Sequence, residues 1–138
     1  MKDLKNIQAF FAAYDAHDVE GMVACCANDA RGRYVPYGRE SVAPIRGGID
    51  AIWRGFPQAV PDFRVEVIEV IPAEGDIVVV QAILGGTMPA DAPGLVKKGE
   101  IAGFPHVFIL RFAPDGKISY LDCYWDNTAT NCIKASAL

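Results

Sequence analysis

The sequence predicts a single α+β domain over residues 1–138, a cone in which three N-terminal helices pack on one face of a strongly curved antiparallel sheet. Residues 4–59 contain three segments whose apolar residues recur at helical spacing. After Pro61 the chain changes to short β-rich runs, and a Pro-Asp-Gly turn at 114–116 joins the last two as a hairpin. The mouth and interior of such a cone are natural ligand sites.

The helices are predicted from periodicity and from capping residues. The first covers residues 4–17, and the second covers 18–26 with an aspartate at its start. A short extended segment at 30–38 precedes the third helix, which starts near 48–50 and ends at about Ala59. The apolar positions that define the first and third helices are Leu4, Ile7, Phe10, Phe11, Tyr14, Ile52, Trp53 and Phe56.

The second half of the chain predicts four antiparallel strands. Residues 63–72 have apolar positions at period two. Residues 77–84 are nearly continuous valine and isoleucine, which is typical of a central strand covered on both faces. Residues 85–99 are rich in Gly, Pro, Ala and Lys and predict a long loop. The hairpin at 103–112 and 117–126 completes the sheet.

Alternation along the hairpin places one histidine on an aromatic face. His106 and its neighbours at even positions, from Phe104 to Phe112, point to the same side of the sheet. Pairing Phe112 with Lys117 puts Leu121, Cys123 and Trp125 on that side and places His106 opposite Cys123. A slip of one residue, as a β-bulge would produce, places Asp122 there instead.

His106 is the first candidate catalytic residue. A position between Phe104 and Phe108 in a pocket keeps the imidazole neutral, because desolvation disfavours the cation. A neutral imidazole can act as a general base that removes a proton next to a carbonyl group. The alternative is a core or rim histidine that donates one hydrogen bond.

Two tyrosines and one cysteine are further candidates. Tyr14 or Tyr34 could hold the developing oxyanion, although buried tyrosines usually pack and donate one hydrogen bond. Cys123 is either a thiol activated by His106 or, as most buried cysteines are, a small apolar group. The residues expected to bind the substrate are Cys123, Trp125, Phe104, Phe108 and Trp53.

Composition limits the partners. The net charge of −4 and the lack of a basic cluster argue against nucleic acid. No apolar run approaches the roughly 20 residues that span a bilayer, and no signal-like apolar core is present, so we expect a cytoplasmic protein with no membrane partner. The four cysteines form no Cys-x-x-Cys pair, and with only two histidines no metal site is expected.

Five segments together resemble the nuclear-transport-factor-2-like superfamily, and within it the SnoaL-like polyketide cyclase group. They are residues 10–23, Arg-Gly-Gly-Ile-Asp-Ala-Ile-Trp at 46–53, Val-Pro-Asp-Phe-Arg-Val-Glu-Val at 60–67, Gly-Gly-Thr at 85–87, and 115–126, which begins Asp-Gly-Lys-Ile and ends Tyr-Trp-Asp. The resemblance covers nearly the whole chain and implies the cystatin-like cone. The same fold hosts isomerases, dehydratases, cyclases, epoxide hydrolases and non-enzymes.

The resemblance also implies a function. We expect a cofactor-independent enzyme that transfers protons on a hydrophobic polyketide-like or cyclic carbonyl compound, and a homodimer formed through the sheet face, as relatives commonly form. SnoaL-like cyclases use a histidine on the penultimate strand and an aspartate on the last. Those positions fall on Phe108 and Cys123 here, with His106 two residues before the first. The alternatives are a non-catalytic module that binds a small apolar or aromatic ligand, and a dimerisation module.

Overall fold

Three helices form the first layer of the computed structural model, which describes residues 2–91, 97–125 and, by backbone alone, 133–134. They are α1 (Leu4–Asp15), α2 (Val19–Ala24) and α3 (Asp50–Ala59). The side chains of Asp3 and Asp18 cap α1 and α2, accepting hydrogen bonds from the backbone amides of Asn6 at 3.1 Å and Gly21 at 3.0 Å. The three predicted helices are therefore confirmed.

Seven strands among the described residues form one curved sheet. Its order is β2-β1-β6-β5-β4-β3, and β7 pairs with β5 off this path. The strands β3 to β6 are antiparallel neighbours, as predicted, whereas β1 runs parallel to β6. Their bounds are β1 Cys26–Tyr34, β2 Ala43–Pro44, β3 Arg64–Pro72, β4 Ile77–Thr87, β5 Ile101–Phe112, β6 Ile118–Trp125 and β7 Ile133–Lys134.

Two expectations about the strands are wrong for one reason. Cys26 does not end the second helix, because it pairs with Ile118 and begins β1. The run at 77–84 is not the central strand, because β1 and β2 extend the sheet beyond β6 and leave β4 beside the edge strand β3. Both errors come from the long-range pairing of β1 with β6, which local periodicity does not report.

The terminal hairpin has the predicted face. His106, Phe108, Leu110 and Phe112 are buried on the inner side of the sheet, as is Cys123 on the facing strand. This part of the prediction is confirmed because alternation is a property of the strand itself.

The register of the hairpin differs from the prediction by two residues. The backbone amide of Ala113 donates to the Lys117 carbonyl at 2.8 Å, which closes a loop one residue shorter than expected. Ser119 then bulges out of the ladder and shifts the register by one more residue. Two shifts of one residue restore the face, so His106 lies opposite Trp125 and not Cys123. The alternative pairing with Asp122 is also wrong.

The outer face of the sheet is partly apolar. Val79, Ile83, Val107 and Ile109 point outward and are half-buried. Homodimerisation through this face remains a prediction. In the part of the chain that the structure describes, no helix is long and apolar enough to cross a membrane.

Candidate functional site

A cavity of about 220 Å³ lies between the end of α3 and the inner face of the sheet. Among the described residues that line it, none is charged and His106 is the one titratable residue. The helix and the connection to β3 supply Phe56, Val60 and Phe63, β4 and the loop after it supply Leu84, Gly85 and Met88, and the hairpin supplies Phe104, His106 and Trp125. The structure thus brings together three of the predicted site residues, Phe104, His106 and Trp125.

Side-chain hydrogen bonds hold the α3–β3 connection over β4. Asp62 accepts from the backbone amide of Thr87 at 2.8 Å and from its hydroxyl at 2.6 Å, and these bonds lower the pKa of the carboxyl. His17 Nε2 donates to the Phe63 carbonyl at 2.6 Å. Because Phe63 follows Asp62 directly, both contacts fix this wall of the cavity.

The imidazole of His106 stacks with two aromatic rings. Its imidazole stacks on Trp125, with ring centroids 5.1 Å apart and planes at 16°, and on Phe108, at 6.0 Å and 17°. Only 7% of the residue is exposed. The stacking and the hydrogen bond from its ring hold the imidazole in one orientation.

The protonation of His106 follows from its surroundings. Nδ1 lies 2.7 Å from the Phe104 carbonyl, and because a carbonyl can only accept, Nδ1 carries the hydrogen. Burial lowers the pKa of His106 to about 4, although the bond to Phe104 acts in the opposite direction. The imidazole is therefore neutral at pH 7, and Nε2 holds a lone pair that has no partner among the described residues.

The tyrosines are placed elsewhere. The hydroxyls of Tyr14 and Tyr34 lie 2.9 Å apart, and Trp53 Nε1 donates to the Tyr34 hydroxyl at 2.8 Å. All three side chains are fully buried in the core, none lines the cavity, and burial raises the pKa of both tyrosines well above its ordinary value. The structure therefore does not bring the hydroxyl of Tyr14 or Tyr34 to the cavity beside His106, and Trp53 does not line it.

This buried network yields a stability prediction. We expect Tyr34→Phe to lower the free energy of unfolding by about 1–3 kcal/mol, because both Trp53 Nε1 and the Tyr14 hydroxyl lose a partner. Tyr14→Phe is the matched control, since Tyr34 still accepts from Trp53, and we expect about 0.5–1.5 kcal/mol. Urea unfolding measures both, and equal losses would contradict this arrangement.

Cys123 and Phe108 are buried next to the site but do not line the cavity. They lie opposite each other on β5 and β6, and both are fully buried. Burial raises the pKa of the Cys123 thiol well above its ordinary value, although a hydrogen bond from Tyr34 acts in the opposite direction. Its burial and raised pKa fit Cys123 as a small buried apolar group and not as an activated thiol. Phe108 contributes to the site by stacking on His106.

Several lining residues were not predicted from the sequence. Phe56 and Phe63 form one wall, with ring centroids 5.2 Å apart and planes at 20°. Helical spacing places Phe56 on the inward side of α3, one turn after Trp53, and this was the available signal. Which of the two reaches a cavity depends on how α3 ends, and periodicity does not contain that information.

Metal ligands are not grouped in the described residues. Nowhere in 2–91 and 97–125 do three His, Cys, Asp or Glu side chains come together in a way that could hold an ion. Cys25, Cys26 and Cys123 are buried and unbonded to one another.

The family of the chain is indicated by a match to one family model. Residues 7–121 match the model described as the SnoaL-like domain. The matched segment runs from within α1 to within β6, and it therefore includes His106. No protein with a curated description matches the sequence.

Solved structures share the fold. IdmH from Streptomyces antibioticus, provisionally a polyketide cyclase, superposes with a TM-score of 0.72 at 22% identity, covering 89% of this chain and 91% of its own. SalBIII, an epoxide hydrolase/cyclase-like enzyme with a role in pyran ring formation in salinomycin, gives 0.71 at 18%, covering 93% and 92%. RV0760c from Mycobacterium tuberculosis, in complex with estradiol-17β-hemisuccinate, gives 0.70 at 20%, covering 94% and 96%. At these identities the similarity establishes the fold alone.

Proposed function

We infer that this chain, which belongs to the SnoaL-like domain family, binds a small apolar molecule beside His106 and transfers a proton at Nε2 without a cofactor. The reaction is of the cyclase, isomerase or lyase type, and the substrate is a hydrophobic polyketide-like or cyclic carbonyl compound. The observation that carries this proposal is the buried, neutral imidazole of His106 in a wall whose other described side chains are apolar.

The protonation state of His106 suits a proton that is taken and returned. Nε2 takes a proton from the carbon next to the carbonyl group, and the electron pair of that C–H bond moves to the carbonyl oxygen as an enolate. The imidazolium that results is acidic, because its pKa is about 4. It therefore releases the proton readily to another atom of the same molecule. Isomerisation and ring closure need this sequence, since neither changes the number of protons in the substrate.

The test combines binding with isotope exchange. A thermal-shift screen against aromatic polyketides, steroids, terpenoid epoxides and small acids finds compounds that raise the melting temperature of the native protein. Each compound found is incubated with the protein in deuterated water, and mass spectrometry follows deuterium uptake and product formation.

The variant that tests the role of Nε2 is His106→Ala. We expect it to keep the fold and to lose turnover by about 10²–10⁴-fold, which is the usual contribution of a positioned acid–base group. Tyr34→Phe is the control, because its hydroxyl lies outside the cavity, and it should retain turnover. If the His106→Ala variant retained turnover, the proposed role of Nε2 would be contradicted.

A non-catalytic binding module is the second candidate. It is favoured by the pKa of about 4, which makes Nε2 a weak base at pH 7, and by the lack of a second acid–base group among the described residues of the wall. Under this alternative the screen finds ligands, but none takes up deuterium or changes chemically.

A further inference from the structure

The size of the cavity limits the size of its ligand. Its volume is about 220 Å³. An apolar cavity of about 150 Å³ holds benzene, whereas sites for drug-sized ligands measure about 300–1,000 Å³. The cavity, which is open to solvent, therefore accommodates one six-membered ring with a short substituent, and the other rings of a fused four-ring compound would lie outside it.

The polar groups at the wall select the functional group of the ligand. No side chain in the described part of the lining carries a charge, so a charged ligand would be desolvated there without a partner. The Phe104 carbonyl already accepts from His106 Nδ1, and the Phe63 carbonyl already accepts from His17 Nε2. Among the described residues, the side-chain acceptor that remains is His106 Nε2, whose lone pair can accept from a donor on the ligand.

We propose that the ligand is a neutral single-ring compound whose phenol or enol hydroxyl donates a hydrogen bond to His106 Nε2. The inference rests on the proposed function in taking this cavity as the ligand site, and it narrows the substrate class to a phenol or the enol form of a cyclic ketone. Trp125 lies parallel to the imidazole and is itself part of the wall, so the ligand ring meets an aromatic surface next to its hydroxyl.

Matched ligands and one variant separate the hydrogen bond from simple apolarity. Calorimetric titration compares 4-propylphenol with 4-propyltoluene, in which a methyl group of similar size replaces the hydroxyl. The His106→Phe variant keeps an aromatic ring next to Trp125 and Phe108 but lacks Nε2. It also frees the Phe104 carbonyl from Nδ1, which can only raise the phenol preference of the variant and so makes the comparison conservative. Dividing the phenol preference of the wild type by that of the variant cancels the different hydration of the two ligands.

The expected result has two parts. The preference for 4-propylphenol over 4-propyltoluene is at least about tenfold larger in the wild type than in His106→Phe, because the hydrocarbon leaves Nε2 unpaired in an apolar site. Estradiol, which carries the same phenol on four rings, binds no more tightly than 4-propylphenol, because its other rings lie outside the cavity. Thermal melts at pH 7 check that the variant is folded.

Several outcomes would overturn this inference. They are equal phenol preferences in the two proteins, estradiol binding more tightly than 4-propylphenol, and no binding of either single-ring compound. The result is separate from the test of turnover, because 4-propylphenol needs no reaction to bind. If the expected binding pattern were found while every compound remained unchanged in deuterated water, proton transfer alone would be refuted.

Discussion

Acidification from pH 7 to pH 4 is expected to destabilise the wild-type protein by about 3 kcal/mol more than it destabilises His106→Phe. The pKa of His106 is about 4 in the folded protein and about 6.5 in an unfolded chain. As the pH falls below 6.5, His106 becomes protonated in the unfolded state, whereas in the folded state it stays neutral until about pH 4. The free energy of unfolding therefore falls through this window, by about 1.4 kcal/mol per pH unit.

Urea unfolding of the two proteins at pH 7, 5.5 and 4 measures this difference. His106→Phe retains a ring between Trp125 and Phe108, so the comparison isolates the titration from the packing. Asp15 and Asp62 have lowered pKa values, and their contribution to stability is lost as the pH falls below about 4 in both proteins alike. Parallel losses in the two proteins across pH 7 to 4 would show that His106 is not held neutral by burial.

Gly85→Ala is expected to lower the free energy of unfolding by about 3 kcal/mol or more. A Cβ atom on Gly85 would lie 1.9 Å from the Ala102 carbonyl oxygen and 2.7 Å from the Cα of Gly103, its partner across β4 and β5. Both are backbone atoms of a paired strand, so neither can move aside without breaking the ladder. The substitution would also reshape the cavity, because Gly85 lines it.

The matched control is Gly55→Ala. Gly55 lies inside α3, and a Cβ atom there would meet nothing within 4 Å. Alanine is the better helix former, so we expect this variant to gain about 0.5–1 kcal/mol. Urea unfolding gives both values, and a Gly85→Ala protein as stable as the wild type would contradict the close approach of β4 and β5.

The candidate site was predictable from the sequence as far as local patterns reach. Alternation placed His106 and Trp125 on one aromatic face, since neighbouring positions on a strand decide which side a residue occupies. The partner across the ladder was not predictable, because loop length and the bulge at Ser119 together set the register. A difference of two residues exchanged Cys123 for Trp125 opposite the histidine.

The hydrogen-bond network of Tyr14, Tyr34 and Trp53 could not be predicted from the sequence, for a different reason. Residue type shows that a hydroxyl can donate, but only the packing of α1 and α3 on β1 shows that these groups satisfy one another. The same packing brings Phe56 to the cavity. Both features depend on contacts between distant segments, which no periodicity encodes.

The proposed function depends on a neutral His106 whose Nε2 can accept a proton. Nitrogen-15 NMR of the labelled protein, titrated from pH 8 to pH 3.5, measures the tautomer and the pKa of this ring directly. We expect hydrogen on Nδ1, a bare Nε2 and a pKa of about 4. Hydrogen on Nε2, or titration near 6.5, would contradict it.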